Sequence, residues 1–305
     1  MTALAAALQV LGIALCPLLP GVIQWLKARL QGRRGPSPLQ PYRTLRRLWS
    51  KSAVDPAGTG IVYRMAPPVV AACLIIAVLI VPVAGRGSAF GLGDDAVTLV
   101  GVLALARFAL AAAAWDTGSG FALMGAARDL MIAVFGEALL LVALLVAALP
   151  AHSTGLRSMT AAVAGGHLWS GPAHWCGAIA FAMAIVVETG RQPIDNPDTH
   201  LELTMIHEGP LLEYAGRDLA FLQWGAAARH WVILVLGAQL FLPHGRGFGV
   251  SLGVLVVEIT ALCAGLAVLE TSEAKMRMLR VPALIGVGCA IALAGAGLWV
   301  GGVGA

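Results

Sequence analysis

Three ionisable side chains stand about ten residues from either end of long apolar stretches: Arg107, Glu137 and Glu258. A charge at mid-membrane depth costs about 3 kcal/mol or more, so each must face a bundle interior or water and find a partner. Buried carboxylates with pKa values raised towards neutrality could pass protons there. The same residues could instead form a structural Arg-Glu pair that fixes helix packing. Spacing leaves both readings open, and leaves either Glu137 or Glu258 as the partner of Arg107.

A second set sits in a polar segment, where Glu188, Arg191, Asp195, Asp198, Glu202, His207, Glu208, Glu213, Arg217 and Asp218 crowd into thirty-one residues. As an ordinary solvated loop this density would carry no chemistry. Asn196 as a cap, Pro197 behind it and Gly209-Pro210 as a stop predict a short helix near 197–208. On it Asp198 and Glu202 fall on one side, and His200 and His207 on the opposite one. Those histidines are two turns apart, which misses the i, i+4 chelate spacing of H-E-x-x-H. The five cysteines, Cys16, Cys73, Cys176, Cys263 and Cys289, are scattered singly in or beside apolar stretches, with no C-x-x-C pair. They read as small packing residues, so no metal or cofactor is expected within this chain. Neither a nucleophile elbow, a phosphate-binding loop nor a dinucleotide fingerprint is present.

The elements that must position these groups are apolar throughout. The 305 residues are 59% hydrophobic and 12% charged, about half the charged fraction of an ordinary soluble domain. Apolar stretches near 3–26, 65–84, 97–115, 129–149, 173–189, 225–242, 249–269 and 281–300 are continuous Leu/Val/Ala/Ile runs. Such runs suit membrane helices of about 20 residues better than barrel strands. The expected fold is therefore an all-α bundle of eight transmembrane helices, one domain over 1–305, with the first stretch retained as a helix because basic residues follow it rather than precede it.

Assigning alternate loops to alternate sides places sixteen Lys/Arg on one face and three, Arg86, Arg157 and Arg246, on the other. By the positive-inside rule the first face is cytoplasmic, carrying the loops near 27–64, 116–128, 190–224 and 270–280, and both termini lie outside. The basic excess thus marks topology and a docking surface, with no nucleic-acid partner expected. Within the first loop, Pro41 to Lys51 sets Leu45, Leu48 and Trp49 on one stripe among Arg43, Arg46, Arg47 and Lys51. That pattern suits an interfacial helix resting on lipid or on a partner.

The stretch Glu188 to Leu203, ETGRQPIDNPDTHLEL, continuing TMIHEGPLLEYAGRDLAFLQW, resembles the signature loop of the respiratory complex I membrane subunit 1 family. That loop reads approximately E-T-x-R-x-P-F-D-x-P-E-x-E-x-E-L, and Glu188, Arg191, Pro193, Asp195, Pro197 and Glu202 match it. Ile194 departs from the Phe, Asp198 from the Glu and His200 from the middle acid. QGRRGPSPLQPYRTLRRLWSK, GFALMGAAR ending at Arg128, and Glu137 nine residues on are similar to further segments of the family in its order. ETSEAKMRMLRVP, from Glu270 to Pro282, resembles the hydrogenase branch, that of formate hydrogenlyase subunit 4.

This resemblance implies a multi-pass subunit of the inner membrane, anchoring a hydrogenase or formate hydrogenlyase complex of the group 4 [NiFe] type. Large and small hydrogenase subunits holding the nickel-iron and iron-sulfur centres would dock on it, and antiporter-like membrane subunits would adjoin it. Carried onto this sequence, Glu137, Glu188, Asp195, Asp198, Glu202, Glu208 and Glu213 become candidates for proton entry and coupling, beside Glu258. Arg107, Arg128, Arg191 and Arg217 become their charge partners or docking residues. The alternative within the same fold is the quinone-site subunit of an NADH:quinone oxidoreductase. A stand-alone transporter would show discontinuous helices in matched halves, and no such halves are visible.

Overall fold

The computed structural model describes residues 2–88, 90–91, 93–195, 206–245 and 247–302. Among them there are helices and no strands. In chain order these are α1 Thr2–Leu15, α2 Leu18–Leu30, α3 Gln40–Trp49, α4 Ile61–Ile80, α5 Ala96–Asp116 and α6 Gly120–Ala148. The remainder are α7 Leu156–Ala164, α8 Pro172–Glu188, α9 Gly216–Phe241, α10 Phe248–Ser272 and α11 Val281–Val300. Helices α4, α5, α6, α9 and α10, with α11 and the short turn before it, are long and apolar enough to cross a membrane. The α1–α2 pair makes a seventh such element if counted as one span, and α8, at 17 residues, is a shorter apolar helix. The protein is a multi-pass membrane protein, although length and apolarity establish six or seven of the eight expected spans.

The first span is broken where Pro17 enters, and its halves bend by 52°. Pro17 has no N–H to bond the carbonyl four residues back, so the Ile13 carbonyl is left over, and the indole of Trp224 on α9 donates to it at 3.2 Å. The Ala14 carbonyl accepts from Tyr42 Oη on α3 at 2.6 Å. Side chains from two other helices thus satisfy the break. Helix α3, expected to be interfacial, packs on α2 and α9, with Trp49 edge-on to Phe221, so part of its apolar stripe is used within the protein.

A second proline site works the same way. Pro67 and Pro68 lie inside α4, the missing N–H of Pro67 frees the Tyr63 carbonyl, and Tyr214 Oη donates to it at 2.9 Å. Tyr63 Oη returns a bond to the Glu213 carbonyl at 2.7 Å, and the two rings stack at 4.3 Å. The start of α4 carries no side-chain cap of its own; Asp116, ending α5, accepts from the N–H groups of Gly60 and Tyr63 instead, at 2.8 and 2.9 Å.

Helices α4, α5, α6, α8 and α9 form a ring of neighbours, α11 covers α6 and α8, and α10 lies on α2 and α9. Helix α9 is buried almost continuously from Ala227 to Phe241, as an all-round apolar central helix must be.

Two helix starts differ from expectation. Helix α6 begins at Gly120 rather than near 129, which turns most of the supposed loop 116–128 into helix, and α9 begins at Gly216 rather than near 225. Apolar runs mark where helices are buried, and polar or small residues at their ends extend them further. The predicted helix 197–208 lies mostly outside the described residues; of its end, 206–208 form bends, and Gly209–Leu211 is a 3-10 turn.

Candidate functional site

The ring of helices encloses a set of charges. Arg107 on α5 is 7% exposed and reaches Glu188 at the end of α8 at 3.1 Å, Glu137 on α6 at 3.6 Å and Asp129 on α6 at 3.9 Å. Arg229 on α9 binds the same Glu188 at 2.9 Å and donates to the Leu103 carbonyl at 2.8 Å. Glu188 is therefore held by two guanidiniums from two other helices of the ring. Gly136 permits this approach, because a Cβ there would stand 2.7 Å from Val187 and 3.3 Å from the Glu188 carboxylate.

From the cluster a file of polar groups leads to the end of the bundle that carries the basic segments. Asp129 Oδ1 lies 3.6 Å from His207 Nε2, His207 Nδ1 lies 3.1 Å from Asp195 Oδ2, and Lys275 Nζ lies 3.3 Å from Asp195 Oδ1. Burial pushes the Asp195 carboxyl up, but its hydrogen bond with His207 and the charges of His207 and Lys275 outweigh this and hold it below the usual carboxylate range. The loop is tied from the other side by Met276 N–H donating to the Pro193 carbonyl at 2.8 Å. Beside this file, Glu270 on α10 joins Arg191 at 2.9 Å and Lys27 at 3.2 Å.

A cavity of about 580 Å³ opens onto these groups. Its walls are the break between α1 and α2 (Pro17, Pro20), α3 (Thr44, Leu45), α4 (Val70, Leu74) and α9. Its floor includes Arg107, Asp129, Glu188, Arg191, His207 and Arg229. Apolar walls with a few convergent polar groups are the usual makeup of a small-molecule site, and water reaching the charged floor would serve proton movement equally well.

Of the residues singled out by sequence, Arg107, Glu137 and Glu188 meet directly, Asp195 and Arg191 flank them, and Glu208 lines the cavity. Glu137, not Glu258, is the partner of Arg107. Glu258 is buried on α10 with no hydrogen bond to its Oε1 among the described residues. Arg128 is half-buried on α6, Glu213 lies by the stacked tyrosines and Arg217 is exposed at the start of α9. Asp198, Glu202 and His200 lie outside the described residues. Sequence reasoning misses Asp129, Arg229, Glu270 and Lys275 as site residues. Alternation of loops counts Arg229 with the basic face, and the longer α9 puts it inside. Among the described residues no group of three or more His, Cys, Asp or Glu is gathered as a metal ion would require.

A family model described as NADH dehydrogenase matches residues 2–300. The chain is 36% identical to hydrogenase-4 component C of Escherichia coli (strain K12) over 84% of this chain and 80% of that one. It is 34% identical to formate hydrogenlyase subunit 4 of the same organism over 88% of each. A component of the NADH-quinone oxidoreductase of Rhodopseudomonas palustris (strain BisB5) is 27% identical over 86% of each. Among solved structures, a chain of the membrane-bound sulfane sulfur reductase, an archaeal respiratory membrane complex, superposes with a TM-score of 0.82 at 19% identity, covering 97% of this chain and 98% of that one. It shares the fold. The chain thus belongs to the NADH dehydrogenase subunit 1 family, with greater identity to its hydrogenase and formate hydrogenlyase members than to the NADH-quinone oxidoreductase member.

Proposed function

We infer that this chain is the membrane subunit of a hydrogenase-type respiratory complex. The observation that carries this reading is identity of 36% and 34%, over four fifths or more of each chain, to membrane-complex components named for hydrogenase-4 and formate hydrogenlyase. The nickel-iron and iron-sulfur chemistry would belong to large and small subunits docked on the basic face, with antiporter-like subunits beside the bundle. The basic face is then cytoplasmic and both termini are outer, with α1–α2 and α8 crossing as the remaining two of eight spans.

This chain's part would be to hold the docking platform and to carry protons. Glu137, Glu188 and Asp129 gathered around two arginines inside the membrane support the second role. Replacing Glu137 by Gln should slow proton movement several-fold while the complex still assembles; an unchanged rate would remove Glu137 from the path. The second reading, a quinone-site subunit, is favoured by the apolar-walled cavity that ends on charged groups. Affinity purification in mild detergent followed by metal and quinone analysis separates the two. Nickel together with iron in the co-purifying subunits is the expected result, whereas iron with flavin, bound quinone and no nickel would overturn it.

A further inference from the structure

His207 stands at the join between the polar loop and the buried cluster, and its two ring nitrogens face two different carboxylates. Asp195 is fully engaged: Oδ2 faces Nδ1 of His207 at 3.1 Å and its backbone N–H at 3.4 Å, while Oδ1 faces Lys275 at 3.3 Å. With Nδ1–H donated to Asp195, Nε2 is the nitrogen left to exchange a proton, and it points at Asp129 Oδ1 from 3.6 Å. That distance is longer than a hydrogen bond, and His207 and Asp129 both border the cavity, so a water or a small ring shift can close it. The side chain of His207 is 30% exposed and that of Asp129 is 8% exposed, so the ring spans from solvent to the interior. The ring is also held in place by backbone. Gly190 has φ +60°, and a Cβ on it would lie 2.6–2.8 Å from three ring atoms of His207.

Among the described residues, the network through His207 joins the carboxylates of Asp129, Glu137, Glu188 and Asp195 to the fixed cations Arg107, Arg229 and Lys275. Arg191 and Lys27 share Glu270 alongside, and Glu208 and His230 are the other titratable groups bordering the same cavity among the described residues.

We propose that His207 is the proton-transfer residue that loads this cluster from the basic side. Nε2 takes a proton from hydronium in the cavity water, whose O–H bond breaks to release H2O as the N–H bond of the imidazolium forms. The Nε2–H bond then breaks as an O–H bond forms on Asp129, returning the neutral ring with Nδ1–H still on Asp195. One proton moves and no electrons change hands. Protonated Asp129 loosens its hold on Arg107, which shifts that guanidinium towards Glu188 and Glu137. The proposal rests on the reading of the cluster as a proton path.

The test compares His207→Ala, His207→Gln, Asp129→Asn and Glu137→Gln in the assembled complex in membrane vesicles, following proton movement with a pH-sensitive dye. His207→Ala and His207→Gln should lose tenfold or more of the rate, and added imidazole should restore part of the His207→Ala loss by entering the vacated space. Asp129→Asn and Glu137→Gln should be slow with or without imidazole. Should His207→Gln fail to assemble, His207→Ala with imidazole and Asp129→Asn carry the test. A normal rate in His207→Ala or in Asp129→Asn overturns the proposal, as does a loss in His207→Ala that imidazole leaves unchanged. If Glu137→Gln is slow in those cases, the proton path stands without His207. If Glu137→Gln is normal as well, the reading of the cluster falls with it.

Discussion

Glu188 is the side chain on which most of the buried charge depends. Both Arg107 and Arg229 lie against its carboxylate in the interior, and removing one partner of a buried pair leaves an uncompensated charge costing about 3–5 kcal/mol. Glu188→Gln should therefore lower the thermal unfolding midpoint in detergent more than Glu258→Gln, since Glu258 Oε1 has no hydrogen-bond partner to lose among the described residues. An equal effect of the two would contradict the clamp. Asp195 gives a pH prediction outside the spans. Its folded pKa is depressed, so its contribution is present above its unfolded value, near 4, and is lost as pH falls through the folded value. Protection of the backbone amides at 206–208 from hydrogen exchange, taken relative to the intrinsic rate at each pH, should accordingly fall below about pH 4, and Asp195→Asn should show that lower protection already at pH 7.

At the scale of the elements, helix ends are secured by side chains from elsewhere in the chain. Asp116 caps α4 from the end of α5, and losing such a cap costs about 1 kcal/mol; Asp116→Ala should show this in chemical unfolding, with Asp116→Asn retaining part of it. The carbonyl freed by Pro67 is served by Tyr214, whose hydroxyl burial and the neighbouring Tyr63 keep protonated, as donation requires. Tyr214→Phe leaves that carbonyl without its donor, at a cost of about 1–3 kcal/mol, measurable in the same unfolding experiment. Sequence places Arg107 and Glu137 inside helices because apolar residues flank both for several turns. Asp129 and Arg229 escape it because their helices extend beyond the apolar runs. The signals that could have found them are local: Ser119 ahead of the good helix-forming FALMGAAR, and the continuous AAARHW run around Arg229.

For the whole molecule, the ring of α4, α5, α6, α8 and α9 puts charged groups in the interior while exposed Leu, Val, Ile and Phe cover the outside, the reverse of a soluble domain and what lipid requires. The proposed orientation predicts that a reporter fused after Ala305 reads as outer and one inserted near Gly58 as cytoplasmic; the opposite pair would invert the topology. Composition and apolar run length by themselves determined that lipid is the solvent, roughly where helices run and which face is basic, because each of these is set by residues near one another in the chain. The signature loop from Glu188 to Leu203 carried the family together with the segments at 31–51, 120–128 and 270–282, which occur in the family's order. Which charges meet was decided only by tertiary structure. Arg107 and Glu188 are 81 residues apart, and helical periodicity specifies which residues share a face without specifying which helix stands opposite. The same holds for His207, whose place between Asp195 and Asp129 exists only once α6, the end of α8 and the returning loop are packed together.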